Sequence, residues 1–149
     1  MGEGGCNEDL YVTRSGVLAA SILESACISA LKSDASLQLE VVRSLANDLK
    51  SFLEETSQTN AQGIQTSDLL AEAALRCADL ANLAACNVYQ LSKEHRSQAV
   101  AAVHLASGAV KAINVLAEAK VSPETPNTGH LLRDLQSAGW RADLAVRQV

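Results

Sequence analysis

Two carboxylates and one amide are the residues of this chain whose types and positions could do chemistry. Glu24 is the only acidic residue between Arg14 and Lys32, and at 100° per residue it projects between Ala20, Ile28 and Leu31 on an apolar helix face. A carboxyl group there either stays protonated or needs a cation beside it, and the protonated form is a candidate general acid or base. Asp68 falls in the first turn of another helix, where unpaired amides and the helix dipole favour its charged form and an anionic role. Two carboxyls held in opposite protonation states suit acid-base work, so Glu24 and Asp68 are the candidate catalytic pair. Asn87 lies on the apolar side of the helix that Asp68 begins, where it can hydrogen-bond a ligand or fix the register of a neighbouring helix. Ordinary readings stand beside these: Glu24 as a carboxylate at an oligomer seam, Asp68 as a helix start.

Other chemistries find less to work with. Di-iron bundles use Glu-x-x-His on two helices, and no Glu here is followed three residues later by His. His95, His104 and His130 are far apart, so no metal site is expected. Cys77 and Cys86 lie on nearly opposite sides of one helix with no His nearby in sequence to activate either. No phosphate-binding loop or dinucleotide fingerprint is present, and no cofactor follows from the residues.

The element that must position Asp68 and Asn87 is the stretch from Ser67 to Leu91. Leu70, Ala73, Cys77, Leu80, Ala84 and Leu91 follow the three-four rhythm of a helix face. Leu69, Ala74, Ala78, Ala81, Ala85 and Val88 widen that face until little is left for water. Such a helix is central, and its alanines let neighbours approach closely. Glu72, Arg76 and Asp79 share the remaining edge and can pair weakly.

Around it, residues 1–8 form a glycine-rich lead, followed by a helix over about 9–32 with Val17, Leu23, Cys27, Ile28 and Leu31 along one side. Gly16 lies inside it at a cost of about 1 kcal/mol relative to Ala, or marks its true start. A turn at 32–36 follows, with Asp34 or Ser36 as a cap. The second helix, about 35–57, turns Val41, Val42, Leu45, Leu49, Phe52 and Leu53 inward and Glu40, Arg43, Asn47, Lys50 and Glu54 outward. The polar run 54–66 is a long connection or a frayed helix end. After a break near Ser92–His95, with Ser92 as cap, a fourth helix runs to Lys120 with Val103, Ala106, Val110, Ile113 and Ala117 inward. Pro123 and Pro126 interrupt the chain over 121–129. A short last helix, about 130–147, is broken by Gly139 and anchored by Trp140, the only tryptophan. The expected fold is all-α, one domain over 1–149: an antiparallel bundle of four long helices and a shorter C-terminal one.

Composition supports that architecture and excludes several functions. Of the 149 residues, 48% are apolar but only 3% aromatic, so the core must be made of Ala, Leu and Val. The net charge of −5, without a basic run, argues against nucleic acid and anionic membrane surfaces as partners. No apolar run is expected to approach the roughly 20 residues that span a bilayer. Four cysteines scattered without a C-x-x-C pair fit a reducing cytoplasm. The first and fourth helices are apolar on more than one side, which predicts a homodimer or larger assembly through Leu18, Ile22, Leu105 and Leu116.

The run LQLEVVRSLANDLKSFLEETSQTNAQGIQTSDLLAEAAL, residues 37–75, resembles the C-terminal half of the formiminotransferase-cyclodeaminase and methenyltetrahydrofolate cyclohydrolase domain. In that family a helix leads through an Asn-containing loop to a Ser-Asp start, then an Ala-rich helix with a later Asn-Val. Asn60, Ser67, Asp68 and Asn87-Val88 take those places here. The family's Pro-Gly-Gly-Gly-Ser segment is absent, Asn87 comes later than its pattern, and this chain is shorter. The resemblance implies an all-helical homodimer and a tetrahydrofolate derivative as ligand. Three functions are therefore compatible with the sequence. The first is a non-enzymatic interaction or accessory subunit that self-associates. The others are a folate-linked cyclodeaminase or cyclohydrolase relative and a carrier of a small apolar ligand.

Overall fold

Alanine and leucine at helical spacing produce helices throughout the computed structural model. It describes the backbone of residues 3–33, 35–61, 67–120 and 128–149, and the side chains of 13–33, 35–56, 69–119 and 129–149. Among the described residues five α-helices appear in order: α1 (Glu3–Ser33), α2 (Leu37–Ala61), α3 (Ser67–Asn87), α4 (Lys93–Lys120) and α5 (Thr128–Arg147). A single 3₁₀ turn, Val88–Gln90, follows α3, and there is no strand among the described residues.

The break between α3 and α4 falls where a helix start at Ser92 places it. The Ser92 carbonyl accepts from the amides of His95 at 3.0 Å and Arg96 at 3.1 Å. Leu91 is extended, and the Arg96 guanidinium donates to its carbonyl at 3.1 Å while lying over the Tyr89 ring. The freed carbonyl is thus satisfied by a side chain rather than by another helical turn. Ser36 caps α2: its Oγ accepts from the Leu39 amide at 3.4 Å and its carbonyl from Glu40 at 3.1 Å. The alternative cap, Asp34, lies outside the described residues.

Helix α3 packs on all four other helices, most extensively on α4 and α5. Leu70, Leu80 and Ala84 are fully buried, as expected of the central element. The core divides into two clusters. One joins α1 and the N-terminal half of α2 to the C-terminal half of α3 and the N-terminal half of α4. The other joins Leu53 to the N-terminal half of α3, the C-terminal half of α4, and α5. Val103, Ala106, Val110, Ile113 and Ala117 all face inward on α4, as their spacing predicts.

Several expectations need correction. Gly16 is neither a helix start nor a tolerated weakness. A Cβ there would meet Cys77 Sγ at 2.7 Å and Leu53 Cδ1 at 2.9 Å, so the bare backbone lets α1 cross against α2 and α3. Gly139 does not break α5, which continues to Arg147 and also takes in Thr128 and Gly129 from the expected interruption. Gly139 instead leaves room for the Asn114 amide, 3.2 Å from where its Cβ would be, to donate to the Leu135 carbonyl at 3.0 Å. Trp140 does not anchor α5 in the core: it is 66% exposed. Val41, Leu45 and Ile28, expected inward, stand at the surface, while Lys50, expected outward, is half-buried against α1. In the run 54–66, the residues to Ala61 belong to the end of α2, and 62–66 lie outside the described residues.

By length and composition alone, Thr13–Ser33 and Lys93–Ala119 are apolar enough to cross a bilayer. Alanine and valine raise the average over a whole helix even where polar residues interrupt every run. Less than half of each stretch is buried inside the fold, so α1 and α4 both turn substantial surface outward.

Candidate functional site

The expected site residues lie on α1, for Glu24, and at opposite ends of α3, for Asp68 and Asn87. Glu24, on α1, meets Lys50 of α2, with Nζ to Oε1 3.1 Å and both side chains half-buried. The cation that a carboxylate on this face needs is therefore Lys50. Asn87 is buried at the C-terminal end of α3. Its Nδ2 donates to the Leu83 carbonyl at 2.8 Å, and its Oδ1 accepts from Gln38 Nε2 at 2.9 Å. Asn87 thus ties the end of α3 to the start of α2. Asp68 begins the opposite end of α3, roughly 30 Å away at 1.5 Å per residue, and its side chain lies outside the described residues, as do those of Asn60 and Ser67.

The cysteines on the helix faces are buried thiols. Burial pushes Cys77 up to about 12. Burial also raises Cys27, to about 11, with Arg43 lowering it and Glu24 raising it to lesser extents. Both stay protonated and unreactive near neutral pH. Cys86 is exposed, its Sγ 3.6 Å from Asn82 Oδ1. No cluster of three or more His, Cys, Asp or Glu side chains able to share a metal ion occurs among the described residues.

What the fold does build is a groove between α2 and α3. Helix α2 packs along α1 and touches α3 much less, leaving an open trough of about 450 Å³. Leu45, Leu49, Phe52 and Leu83 form its apolar lining, with Asp48, Arg76 and Asp79 at its edge. The edge is held by a charge network. Arg76 reaches Glu72 at 2.8 Å and Asp79 at 3.5 Å, its guanidinium 5.4 Å from the centre of the Phe52 ring. Arg141 of α5 also donates to Asp79. Arg76 is thereby committed to two carboxylates and a ring face, and Asp79 to two guanidinium groups. Asp48 has no ion-pair partner among the described residues.

The sequence carried a signal for this groove. Leu37, Val41, Leu45, Leu49 and Phe52 repeat at steps of four, four, four and three, beside the buried set Leu39, Val42, Ala46 and Leu53. Two adjoining apolar stripes exceed what one neighbouring helix covers. Leu37 is 83% exposed and Val41 and Leu45 about half, so the outer stripe leaves apolar surface open along α2 beyond the groove.

No protein family and no curated protein matches this sequence.

Proposed function

We propose that the chain is a non-enzymatic interaction or accessory module, an antiparallel helical bundle that works as a homo-oligomer. The observation that carries the reading is the set of bulky apolar side chains left outside an alanine-rich core: Leu18 is 52% exposed, Val115 68% and Trp140 66%. Side chains of that kind on several helices mark surfaces that meet other surfaces. The antiparallel arrangement is supported by the way opposite halves of α3 and α4 share each core cluster. The outer edges of α1 and α4, which pack together, supply the interface, with Leu18, Ile22, Leu105 and Leu116 as its residues.

The α2–α3 groove has the volume of a small-ligand site, but it is open along its length and Leu45 is 45% exposed. Ligand pockets enclose most of what they bind, so this shape favours contact with another macromolecular surface over carriage. Sedimentation tests the reading. The wild type runs as a dimer or larger at micromolar concentration, and Leu18→Glu, an exposed substitution, shifts it toward monomer with its helical circular dichroism unchanged. A wild type that sediments as a monomer overturns it.

A further inference from the structure

The charges and apolar groups that line the α2–α3 groove have their complement on α5 of the same chain. The inner face of α5 is buried through Leu131, Leu135, Ala138, Ala142 and Ala145. Its outer face carries Arg133, Trp140 and Arg147 at spacings of seven, two turns apart on one line, and all three are exposed. The other charges of α5 are engaged: His130 with Asp134, Asp143 with Lys111, Arg141 with Asp79. Arg133 and Arg147 have no ion-pair partner among the described residues. An exposed indole between two uncommitted guanidinium groups thus faces away from the core. Across α3 lies an apolar groove whose uncommitted charge is the Asp48 carboxylate. Trp140 points outward from the side of α5 opposite its buried face, and the α5 residue that reaches the edge of the groove in its own chain is the neighbouring Arg141, at Asp79.

We infer that the groove is a docking site for α5 of a second copy of this chain, with Trp140 seated over Leu45, Leu49 and Phe52 and Arg133 or Arg147 set against Asp48. An indole buries about 200 Å² when covered, and a tryptophan flanked by arginines has the composition of an interface anchor. The apolar stripe running on through Val41 and Leu37 suits a helix lying along α2 better than a compact small molecule. Under two-fold symmetry each copy offers one groove and one α5, so the contact forms twice. This inference rests on the homo-oligomeric reading but uses a surface separate from Leu18 and Leu116, so the two can fail independently.

Because Trp140 is the only tryptophan, its fluorescence reports the contact directly. Raising the wild-type concentration from nanomolar to high micromolar shifts its emission to shorter wavelength and protects it from acrylamide quenching. Asp48→Arg, and separately Arg133→Glu with Arg147→Glu, weaken the association by about tenfold, equivalent to about 1.4 kcal/mol. These are exposed substitutions, and circular dichroism verifies that the fold is kept. Mixing the two variant chains restores the shift, because in the mixed dimer both grooves meet an α5 of opposite charge. Assembly by sedimentation with Trp140 still quenched as in the dilute chain overturns this inference and leaves the homo-oligomer in place. Monomers at every concentration overturn both. A concentration-dependent shift that ignores the charge variants, or that appears only on adding a different protein, also overturns it.

Discussion

Asn87 places an amide inside an alanine core and satisfies it from two sides, through the Leu83 carbonyl and the Gln38 side chain. Replacing it with Ala removes both bonds and leaves a small void, and is expected to lower stability by about 1 to 2 kcal/mol in urea unfolding. Gln38→Ala costs less, because Gln38 is exposed and water can take the place of its amide. That a polar residue at position 87 would need a hydrogen-bond partner was legible in its place on an apolar face. Its partner was not, because Gln38 lies 49 residues away and only the packing of α2 brings it near. The same holds for Glu24, whose position demanded a cation while nothing local named Lys50. The buried cysteines give a second prediction at this scale. In the native state near pH 8, iodoacetamide labels the exposed Cys86, while Cys27 and Cys77 react only after unfolding, as peptide mass spectrometry can read. Since Cys77 sits at about 12 in the fold and 9.0 is its ordinary value, the unfolded chain loses that proton first as pH rises. Stability therefore falls as pH rises from about 9 toward 12, and Cys77→Ala flattens that part of the curve.

Between elements, the glycines divide by what surrounds them. An alanine is worth up to about 1 kcal/mol over glycine inside a helix, and at Gly108, where a Cβ meets nothing within 4 Å, that gain is realised. Gly108→Ala is expected to raise the unfolding free energy by about 0.5 to 1 kcal/mol, measured where the chains are dissociated. Gly16→Ala is expected to lower it instead, because the new methyl group meets the buried Cys77 sulfur and Leu53 at separations real Cβ atoms do not adopt. Cys77→Ala in the same chain removes one of the two obstacles, so the double variant loses less than the sum of its parts. If Gly16→Ala stabilises the protein, the close crossing of α1 is wrong. The sequence made the helices readable because apolar spacing and turn residues act locally. It left hidden which glycine was a crossing point, since that depends on which helices meet there. Val41 and Leu45 were misplaced for a related reason: periodicity marks an apolar side but cannot say whether a neighbouring helix or another molecule covers it.

For the whole molecule, the balance between apolar area buried in an alanine-rich core and apolar area left at the surface governs stability. Alanine pairs bring helices close but bury little area per contact, while leucines and a tryptophan outside the core contribute only when something covers them. α1 and α4 add to this, since less than half of each apolar stretch is buried within the chain. If a second copy supplies the missing cover, folding is linked to association, and the folded state gains free energy with protein concentration. For chains of this size, each tenfold rise in concentration should then raise Tm by roughly 2 to 4 °C. The measurement is a thermal melt by circular dichroism over a hundredfold range of concentration. The wild type should show the rise. Leu18→Glu should flatten it if α1 forms the dominant contact, and Asp48→Arg should flatten it if the groove does. Each substitution is at an exposed position, so the melt of the dilute protein should stay close to the wild type's. A wild-type Tm independent of concentration would mean that the alanine core suffices alone and that the outer leucines and Trp140 face water in the working state.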